Sequence, residues 1–256
     1  MDSAHRGARF RRADGGRLLV FGHRGASARA PENTLAAFEL ALDEGADGVE
    51  LDVRPCGSSE LVVCHDADLV RVAGGDPGRV EALSLTDLRA RELAGGARIP
   101  LLDEALDLVV GRGALVNIEI KSDRTGRSPV ERAAAVAEVL ARRAAVERER
   151  TLVSTFDPMI YEAFASMAPL DVARSFIFDS PLSRVVSTAL GPDGYHPHHS
   201  LAERRFVERW RAAGAYVHTW TVDARDDIER ADAAGVDAII TNDPRGAIAV
   251  RDRCSP

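Results

Sequence analysis

The sequence predicts a single (β/α)8 TIM barrel with a small insertion, and three observations support this fold class. Short β-rich apolar runs alternate with helical patterns almost from end to end, as in repeated βα units. The length of 256 residues is typical of one such barrel rather than of two domains. Polar residues follow several of the predicted strands, where barrels of this class carry their active sites. We therefore expect residues 1–256 to form one domain.

The apolar runs predict nine strands, one more than the barrel needs. In chain order they cover residues 18–21, 48–53, 61–65, 115–120, 151–155, 172–178, 195–196, 216–222 and 238–241. Apolar stripes and capping residues predict helices between them. One begins after Asn33 or Thr34, a further one is expected within residues 181–194, and the others cover residues 129–147, 158–167, 201–213 and 225–234.

The spacing of the second and third runs accounts for the extra strand. A parallel crossover needs about a dozen residues, and only residues 54–60 separate these two runs. That segment can form a hairpin turn, so the third run is expected to return antiparallel. A turn centred on Ser58 and Ser59 would place His65 opposite Asp52. Eight parallel strands then remain for the barrel.

Residues 66–98 interrupt the alternation of strands and helices. They contain a Gly-Gly-Asp-Pro-Gly stretch and little strand pattern. We expect this segment to form the insertion, over one mouth of the barrel.

Composition and charge exclude several classes of function. The net charge of -7 argues against a nucleic-acid partner, which would require a basic stripe. No apolar run approaches the roughly 18 residues of a membrane span, and residues 1–17 lack the apolar centre of a signal peptide. The three cysteines, Cys56, Cys64 and Cys254, have no metal-ligand spacing and argue against a disulfide framework. We expect a cytoplasmic protein without stable membrane association; the oligomeric state is not predicted.

Three carboxylates are expected to meet at the mouth of the barrel. Glu50 and Asp52 lie on one face of the second strand, and Glu119 lies at the end of the next barrel strand. These three side chains would repel one another unless a positive charge lay among them. Oxygen ligands suit a hard cation. The sequence therefore predicts one divalent cation, Mg²⁺ or Ca²⁺.

Two cations and two histidines accompany the carboxylates. Arg24 and Lys121 would lie beside the metal, and the three charges together can neutralise a phosphoryl group. Lys121 is the only lysine among 33 Lys and Arg residues, which indicates a position that requires a compact ammonium. His23 and His65 titrate near neutral pH and suit general acid and base catalysis.

At these residues the sequence resembles the glycerophosphodiester phosphodiesterase family. The resemblance covers about residues 18–244. Each motif alone is weak evidence for the family, whereas the whole set in this order is highly specific for it. The motifs are His23-Arg24-Gly25, Pro31-Glu32-Asn33-Thr34, Glu50-Leu51-Asp52, His65-Asp66, Glu119-Ile120-Lys121, Ser154-Thr155-Phe156-Asp157-Pro158, Trp220-Thr221-Val222 and Gly235-Val236-Asp237-Ala238-Ile239-Ile240-Thr241-Asn242-Asp243-Pro244.

The resemblance implies metal-dependent hydrolysis of small-molecule glycerophosphodiesters to sn-glycerol 3-phosphate and an alcohol. It implies that Glu50, Asp52 and Glu119 hold the metal. His23 and His65 would be the catalytic acid and base.

The resemblance also implies the residues that bind substrate. Arg24 and Lys121 would grip the phosphate, Glu32 matches a conserved acid of the family, and Trp220 matches an aromatic residue that lines the pocket. One departure is the segment 57–60, Gly-Ser-Ser-Glu, where family members usually carry an Asp-Gly turn. The turn can still form, although the height of His65 depends on it.

Other functions remain open at the level of sequence. A lysophospholipase D or a sphingomyelinase D-like phosphodiesterase would share the barrel, but no aromatic-rich amphipathic segment for lipid stands out. A non-catalytic glycerophosphodiester-binding protein would lack a histidine or a metal ligand, and none is missing. His196, His198 and His199 could form a zinc site, but no acidic or cysteine partner accompanies them, which favours pocket lining.

Overall fold

The structure, a computed structural model, describes residues 6–13, 15–123 and 126–254. Its centre is a closed barrel of eight parallel strands. In chain order the strands are β1 Leu19–His23, β2 Gly48–Pro55, β3 Leu61–Val63, β4 Asp68–Leu69, β5 Asp76–Arg79, β6 Leu115–Ile120, β7 Thr151–Thr155, β8 Ala173–Phe178, β9 Gly194–Pro197, β10 Tyr216–Thr219 and β11 Ala238–Thr241. The barrel contains β1, β2 and β6 to β11, and it closes because β1 pairs with both β2 and β11.

Helices surround the barrel. They are α1 Leu35–Asp43, α2 Leu85–Arg89, α3 Leu102–Gly111, α4 Pro129–Ala141, α5 Ala145–Arg148, α6 Pro158–Met167, α7 Pro181–Leu190, α8 Arg204–Ala212, α9 Arg225–Ala234 and α10 Pro244–Cys254. The predicted TIM barrel with an insertion is confirmed. No helix among the described residues is long and apolar enough to cross a membrane.

Two predicted helices have different bounds in the structure. The helix expected over residues 129–147 is two helices, because Ala144 has extended backbone and begins α5, with its N–H bonded to the Glu147 carboxylate at 2.8 Å. The helix expected over 201–213 starts at Arg204, after a short 3-10 turn over His199–Leu201. The helix expected within residues 181–194 is present as α7.

The predicted register of the hairpin is wrong by one residue. The Cys64 N–H donates to the Asp52 carbonyl at 2.9 Å, so Cys64 rather than His65 lies beside Asp52. The cause is the loop 57–59, in which Ser59 adopts a left-handed backbone with φ of 85°. This three-residue loop replaces the turn expected around two central serines. His65 therefore follows the last paired residue of β3.

The insertion packs on the hairpin through a small apolar core of its own. In this segment β4 pairs with β5, and α2 follows. Cys56 and Cys64 are buried free thiols in this core, as expected for packing residues; the side chain of Cys254 lies outside the described residues. The buried members are Cys56, Val62, Cys64, Leu69, Val80, Leu88, Leu93 and Ile99.

The lower half of the barrel lumen is filled with apolar side chains. Its buried members are Phe10, Phe21, Leu115, Leu152, Ala173, Tyr216, Ala238 and Ile240. Phe10 enters from the N-terminal 3-10 turn, and its ring lies 5.7 Å from that of Tyr216. Gly194 is required here, because a Cβ at this position would lie 2.1 Å from the Tyr216 ring. These side chains close the lumen beneath the carboxyl ends of the strands.

Candidate active site

The carboxyl ends of the barrel strands surround a cavity of about 230 Å³. Most of the predicted site residues line it, and the other two, Glu32 and Asp52, contact residues that do. The lining residues are His23, Arg24, Glu50, His65, Asn117, Glu119, Lys121, Phe156, Ile177, His196, Trp220, Thr221 and Ile240.

Strand register brings the three predicted carboxylates together. β2 and β6 are neighbours, and Asp52 is paired with Glu119 while Glu50 lies two residues earlier on the same face of β2. One oxygen from each side chain lies within 4.8 Å of those of the other two. All three residues are buried. The convergence expected from strand alternation is therefore present.

The chemistry of this cluster fits a divalent cation. The Asp52 Oδ1 atom is buried and has no hydrogen-bond donor among the described residues. Burial raises the pKa of Glu50 well above its usual value, and the charges of Asp52 and Glu119 raise it further. Burial also raises the pKa of Glu119. Closely spaced, desolvated carboxylate oxygens of this kind are stabilised by a hard cation.

Two side chains counter the charge of Asp52 from the β1–α1 loop. The Arg24 Nε lies 3.2 Å from Asp52 Oδ2, and the Asn33 amide donates to the same oxygen at 2.8 Å. Burial alone would raise the pKa of Asp52, but Lys121 and Arg24 outweigh burial and lower it. Arg24 and Asn33 both have left-handed backbones, with φ of 58° and 56°. Such strain persists only where surrounding contacts impose it, and it is common at functional sites.

Lys121 lies among the carboxylates, as its strand position predicts. Its Nζ donates to Glu119 Oε1 at 2.6 Å and lies 3.4 Å from Asp52 Oδ1. Burial would lower the pKa of this ammonium, but Glu119 and Asp52 raise it, so Lys121 is positively charged at neutral pH.

Each predicted catalytic histidine has a polar partner at Nδ1. The His23 Nδ1 lies 2.7 Å from Asn242 Oδ1, and the Asn242 Nδ2 donates to Asp223 at 2.6 Å, which fixes the amide orientation. The His65 Nδ1 lies 2.6 Å from Asp66 Oδ1. Nδ1–H therefore donates in both rings, and Nε2 carries the lone pair of the neutral form.

Burial sets the charge of these two histidines. It lowers the pKa of His23, and the adjacent Arg24 guanidinium lowers it further. Burial also lowers the pKa of His65. The negative charge of Asp52 raises this pKa and the positive charge of Lys121 lowers it, and the net shift is downward. Both imidazoles are therefore neutral near pH 7 and able to accept a proton at Nε2.

The chain matches a known protein family over most of its length. The profile of the glycerophosphoryl diester phosphodiesterase family matches residues 23–245, which span the barrel from the end of β1 to the start of α10. The chain belongs to this family. A relative named glycerophosphodiester phosphodiesterase, from Caldanaerobacter subterraneus subsp. tengcongensis, is 34% identical over 241 residues, with 91% of this chain and 97% of the relative covered.

Solved structures of the family share the fold of this phosphodiesterase. An Oleispira antarctica phosphodiesterase in complex with the product sn-glycerol-3-phosphate superposes with a TM-score of 0.81 at 27% identity, covering 92% of this chain and 97% of that one. The glycerophosphodiester phosphodiesterase of Thermotoga maritima has a TM-score of 0.74 at 28% identity, covering 91% and 98%. These relatives lend no support to the lipid phosphodiesterase alternatives or to a non-catalytic binding protein.

Aromatic side chains form one wall of the cavity in this phosphodiesterase. Trp220 lies where the sequence places it, and its Nε1–H donates to the His196 carbonyl at 2.9 Å. The partly exposed ring of Phe156 contacts Trp220 edge to face, with centroids 5.3 Å apart. Phe156 belongs to the motif of residues 154–158, for which the sequence predicts no role. This wall gives the cavity an apolar side opposite the carboxylates.

The three clustered histidines have different environments. His196 lines the cavity, as expected. The His198 ring contacts the Trp220 ring, with centroids 5.3 Å apart, and the His199 Nδ1 lies 3.5 Å from Asp227 Oδ1. Of the three histidines, only His196 lines the active-site cavity. Among the described residues, the acidic cluster is the one group with metal-ligand geometry.

The insertion is attached to the mouth of the cavity by Arg71. Its guanidinium bonds to Glu32 at 2.5 Å and to Asp66 at 2.7 Å. Glu32 in turn accepts a hydrogen bond from Arg24 at 2.9 Å. Glu32 thus lies between two arginines, one from the β1–α1 loop and one from the insertion. Arg71 could not be predicted from the sequence, because nothing in its local pattern distinguishes it from other surface arginines.

Proposed function

We propose that this phosphodiesterase hydrolyses glycerophosphodiesters to sn-glycerol 3-phosphate and an alcohol, with one Mg²⁺ or Ca²⁺ held by Glu50, Asp52 and Glu119. The observation that carries the proposal is the buried carboxylate cluster with Lys121 beside it in a cavity of about 230 Å³. The names of the relatives support the substrate class, and the Oleispira complex supports a glycerol phosphate product.

The cations are assigned to the phosphate. When bound, the metal supplies Lewis-acid stabilisation of charge on the phosphoryl oxygens. Arg24 and Lys121 bind the non-bridging oxygens from two sides, with Glu32 holding the Arg24 side chain. Trp220 packs against the carbon atoms of the substrate.

The histidines are assigned to proton transfer. One imidazole accepts the proton of the attacking oxygen at Nε2. The other, protonated at Nε2 when the bound phosphate anion raises its pKa, donates that proton to the alcohol oxygen as the P–O bond breaks. The Nδ1 partners Asn242 and Asp66 hold both rings through Nδ1–H and leave Nε2 of His23 and His65 for the proton transfer. These residue roles are predictions from sequence and family resemblance that the geometry supports.

The proposal extends to the organisation of the chain. Residues 1–256 form one catalytic unit, with residues 66–98 as the insertion beside the mouth. A cytoplasmic location and the absence of nucleic-acid and membrane partners remain predictions from the sequence.

An assay of product release tests the function. The purified protein should release sn-glycerol 3-phosphate from at least one member of a panel of glycerophosphodiesters, lose this activity with chelator, and regain it with Mg²⁺ or Ca²⁺. Glu50→Gln should be inactive, whereas the matched control Glu162→Gln, an exposed position on α6, should match wild type. Full activity after exhaustive chelation would exclude the metal, and no product from any diester would exclude the function.

A further inference from the structure

The imidazole of His196 is a buried polar group without a partner. Its side chain is completely buried within the barrel lumen. Neither Nδ1 nor Nε2 has a hydrogen-bond partner among the described residues. The same side chain lines the candidate active-site cavity. Its polar atoms are thus hidden from bulk solvent but adjacent to the space that substrate would occupy.

Packing holds the His196 ring in place without satisfying either nitrogen. The ring stacks on His218 with centroids 5.0 Å apart and meets Tyr216 edge to face at 6.2 Å. His218 differs from its neighbour, because its Nε2 is bonded to the Phe10 carbonyl at 2.8 Å and it does not line the cavity. His218 is therefore anchored to Phe10 in the apolar lower half of the lumen, whereas His196 lines the active-site cavity.

An unmade hydrogen bond of this kind is costly. Leaving a buried donor or acceptor without a partner costs about 1–3 kcal/mol. Burial lowers the pKa of His196 well below its usual value, and His218 adds to the effect, so the ring is neutral. A neutral imidazole offers one N–H donor and one acceptor nitrogen. A hydroxyl group can bond to either nitrogen, since it accepts a hydrogen bond from the ring N–H and donates one to the ring lone pair.

Position within the lumen indicates which part of the substrate reaches His196. β9 and β10 are paired in parallel, and His196 lies deeper in the barrel than Trp220, at the level of His218. The charged groups that suit a phosphate, Arg24 and Lys121, follow the strand ends nearer the mouth. A group that contacts His196 must therefore extend inward from the phosphate.

We propose that His196 hydrogen-bonds a hydroxyl of the glycerol half of the substrate and so selects glycerol phosphates over simple alkyl phosphates. This inference rests on the proposed function. The glycerol half then occupies the deep end of the cavity, and the alcohol half extends toward the mouth. His196 acts as a specificity residue and takes no part in proton transfer.

Calorimetric binding to the metal-loaded protein tests this role, with sn-glycerol 3-phosphate and methyl phosphate as probes. The variant His196→Phe keeps an aromatic ring but removes both nitrogens. It should weaken glycerol 3-phosphate binding about tenfold or more, equivalent to the loss of one buried hydrogen bond, and change methyl phosphate binding less than twofold. His196→Gln retains a donor and an acceptor and should recover part of the loss.

Two controls separate recognition from structure. His218→Phe changes the stacked neighbour that does not line the cavity, so it should lower the melting temperature but keep the wild-type ratio of the two dissociation constants. If His196→Phe fails to fold, His196→Met provides the same comparison with a flexible apolar side chain.

The outcomes are distinguishable from those of the proposed function. Equal weakening of both probes, or of neither, would overturn the inference and leave His196 as a structural or water-bonded residue. A wild-type protein that releases no sn-glycerol 3-phosphate from any diester would instead overturn the proposed function. Product release by wild type, combined with unchanged discrimination in His196→Phe, would contradict this inference alone.

Discussion

Lys121 is the residue whose identity is explained most directly by its surroundings. Its ammonium lies within 3.4 Å of oxygens from two metal-ligand candidates, and its side chain is largely buried. A guanidinium is longer and planar, and it would need space that Glu119 and Asp52 occupy. The single lysine of the chain therefore lies where a compact ammonium, rather than a guanidinium, matches the neighbouring carboxylates.

Replacing this lysine by arginine should be costly for function but not for stability. We expect Lys121→Arg to lower kcat/KM for glycerophosphodiesters about 10²-fold, because a displacement of about 1 Å at the phosphate has that effect. The melting temperature should be unchanged. Arg142→Lys, the same kind of exchange at an exposed position, should alter neither quantity. Activity within twofold of wild type would show that Arg24 and the metal hold the phosphate without Lys121.

The partner of His23 provides a second test. Asn242→Ala should lower kcat about 10-fold with little change in KM, because the freed imidazole loses its fixed tautomer and orientation. His23→Ala and His65→Ala should each lower kcat by about 10²-fold or more. Steady-state kinetics at saturating metal measure all three. A kcat for Asn242→Ala equal to that of wild type would mean that other contacts orient His23.

The sequence predicted those site residues that lie on strands or directly after them. Alternation along β2 and β6 places Glu50, Asp52 and Glu119 on one face, whatever the details of the loops. It could not predict Asn33 or Asn242 as partners of site residues, because their contacts depend on loop conformations. The left-handed backbone of Asn33 is one such conformation.

At the scale of elements, the periodicity predicted strands better than connections. Three predicted strands, including residues 115–120, have the bounds that the structure gives. The hairpin register was wrong because a serine, Ser59, adopts the positive φ that is usually associated with glycine. The break between α4 and α5 was missed because an apolar stripe can continue across a helix end.

An ion-pair network connects the insertion to α4. The Arg132 side chain on α4 is almost completely buried and pairs with Glu81 of the insertion. Asp123, which follows β6, has its Oδ2 atom 3.7 Å from the Arg132 guanidinium. Asp123 also pairs with Arg54, whose Nε donates to the His65 carbonyl at 2.9 Å. The network thus extends from a helix outside the barrel to the backbone of a catalytic candidate.

Truncating the buried arginine should destabilise the protein. Arg132→Ala leaves the partly buried carboxylates of Glu81 and Asp123 with less positive charge beside them, and we expect the free energy of unfolding to fall by about 3 kcal/mol. Urea titration measures it. The double variant with Glu81→Gln should recover part of this loss, because one uncompensated charge is removed. A decrease below about 0.5 kcal/mol would show that water replaces the arginine.

At the scale of the whole molecule, the metal should act as a stabilising ligand. A cation that binds the folded state alone stabilises it by about 2.7 kcal/mol at a concentration 100 times its Kd. We therefore expect Mg²⁺ or Ca²⁺ to raise the melting temperature of chelated wild type and of Glu162→Gln, but not of Glu50→Gln. Thermal unfolding monitored by circular dichroism measures this. A metal-induced rise in Glu50→Gln equal to that of wild type would place the cation elsewhere.

The apolar side chains that fill the lower half of the lumen bear on the order in which the two products leave. Phe10 and Tyr216 fill the lower lumen, so the mouth is the way out of the described barrel for both products. If the glycerol half lies deepest, beside His196, the alcohol half must leave first. Such ordered release gives a distinct inhibition pattern: sn-glycerol 3-phosphate competes with substrate for the free enzyme, whereas the alcohol inhibits noncompetitively. We therefore expect the apolar side chains at the closed end of the barrel to set the order of product release at the mouth.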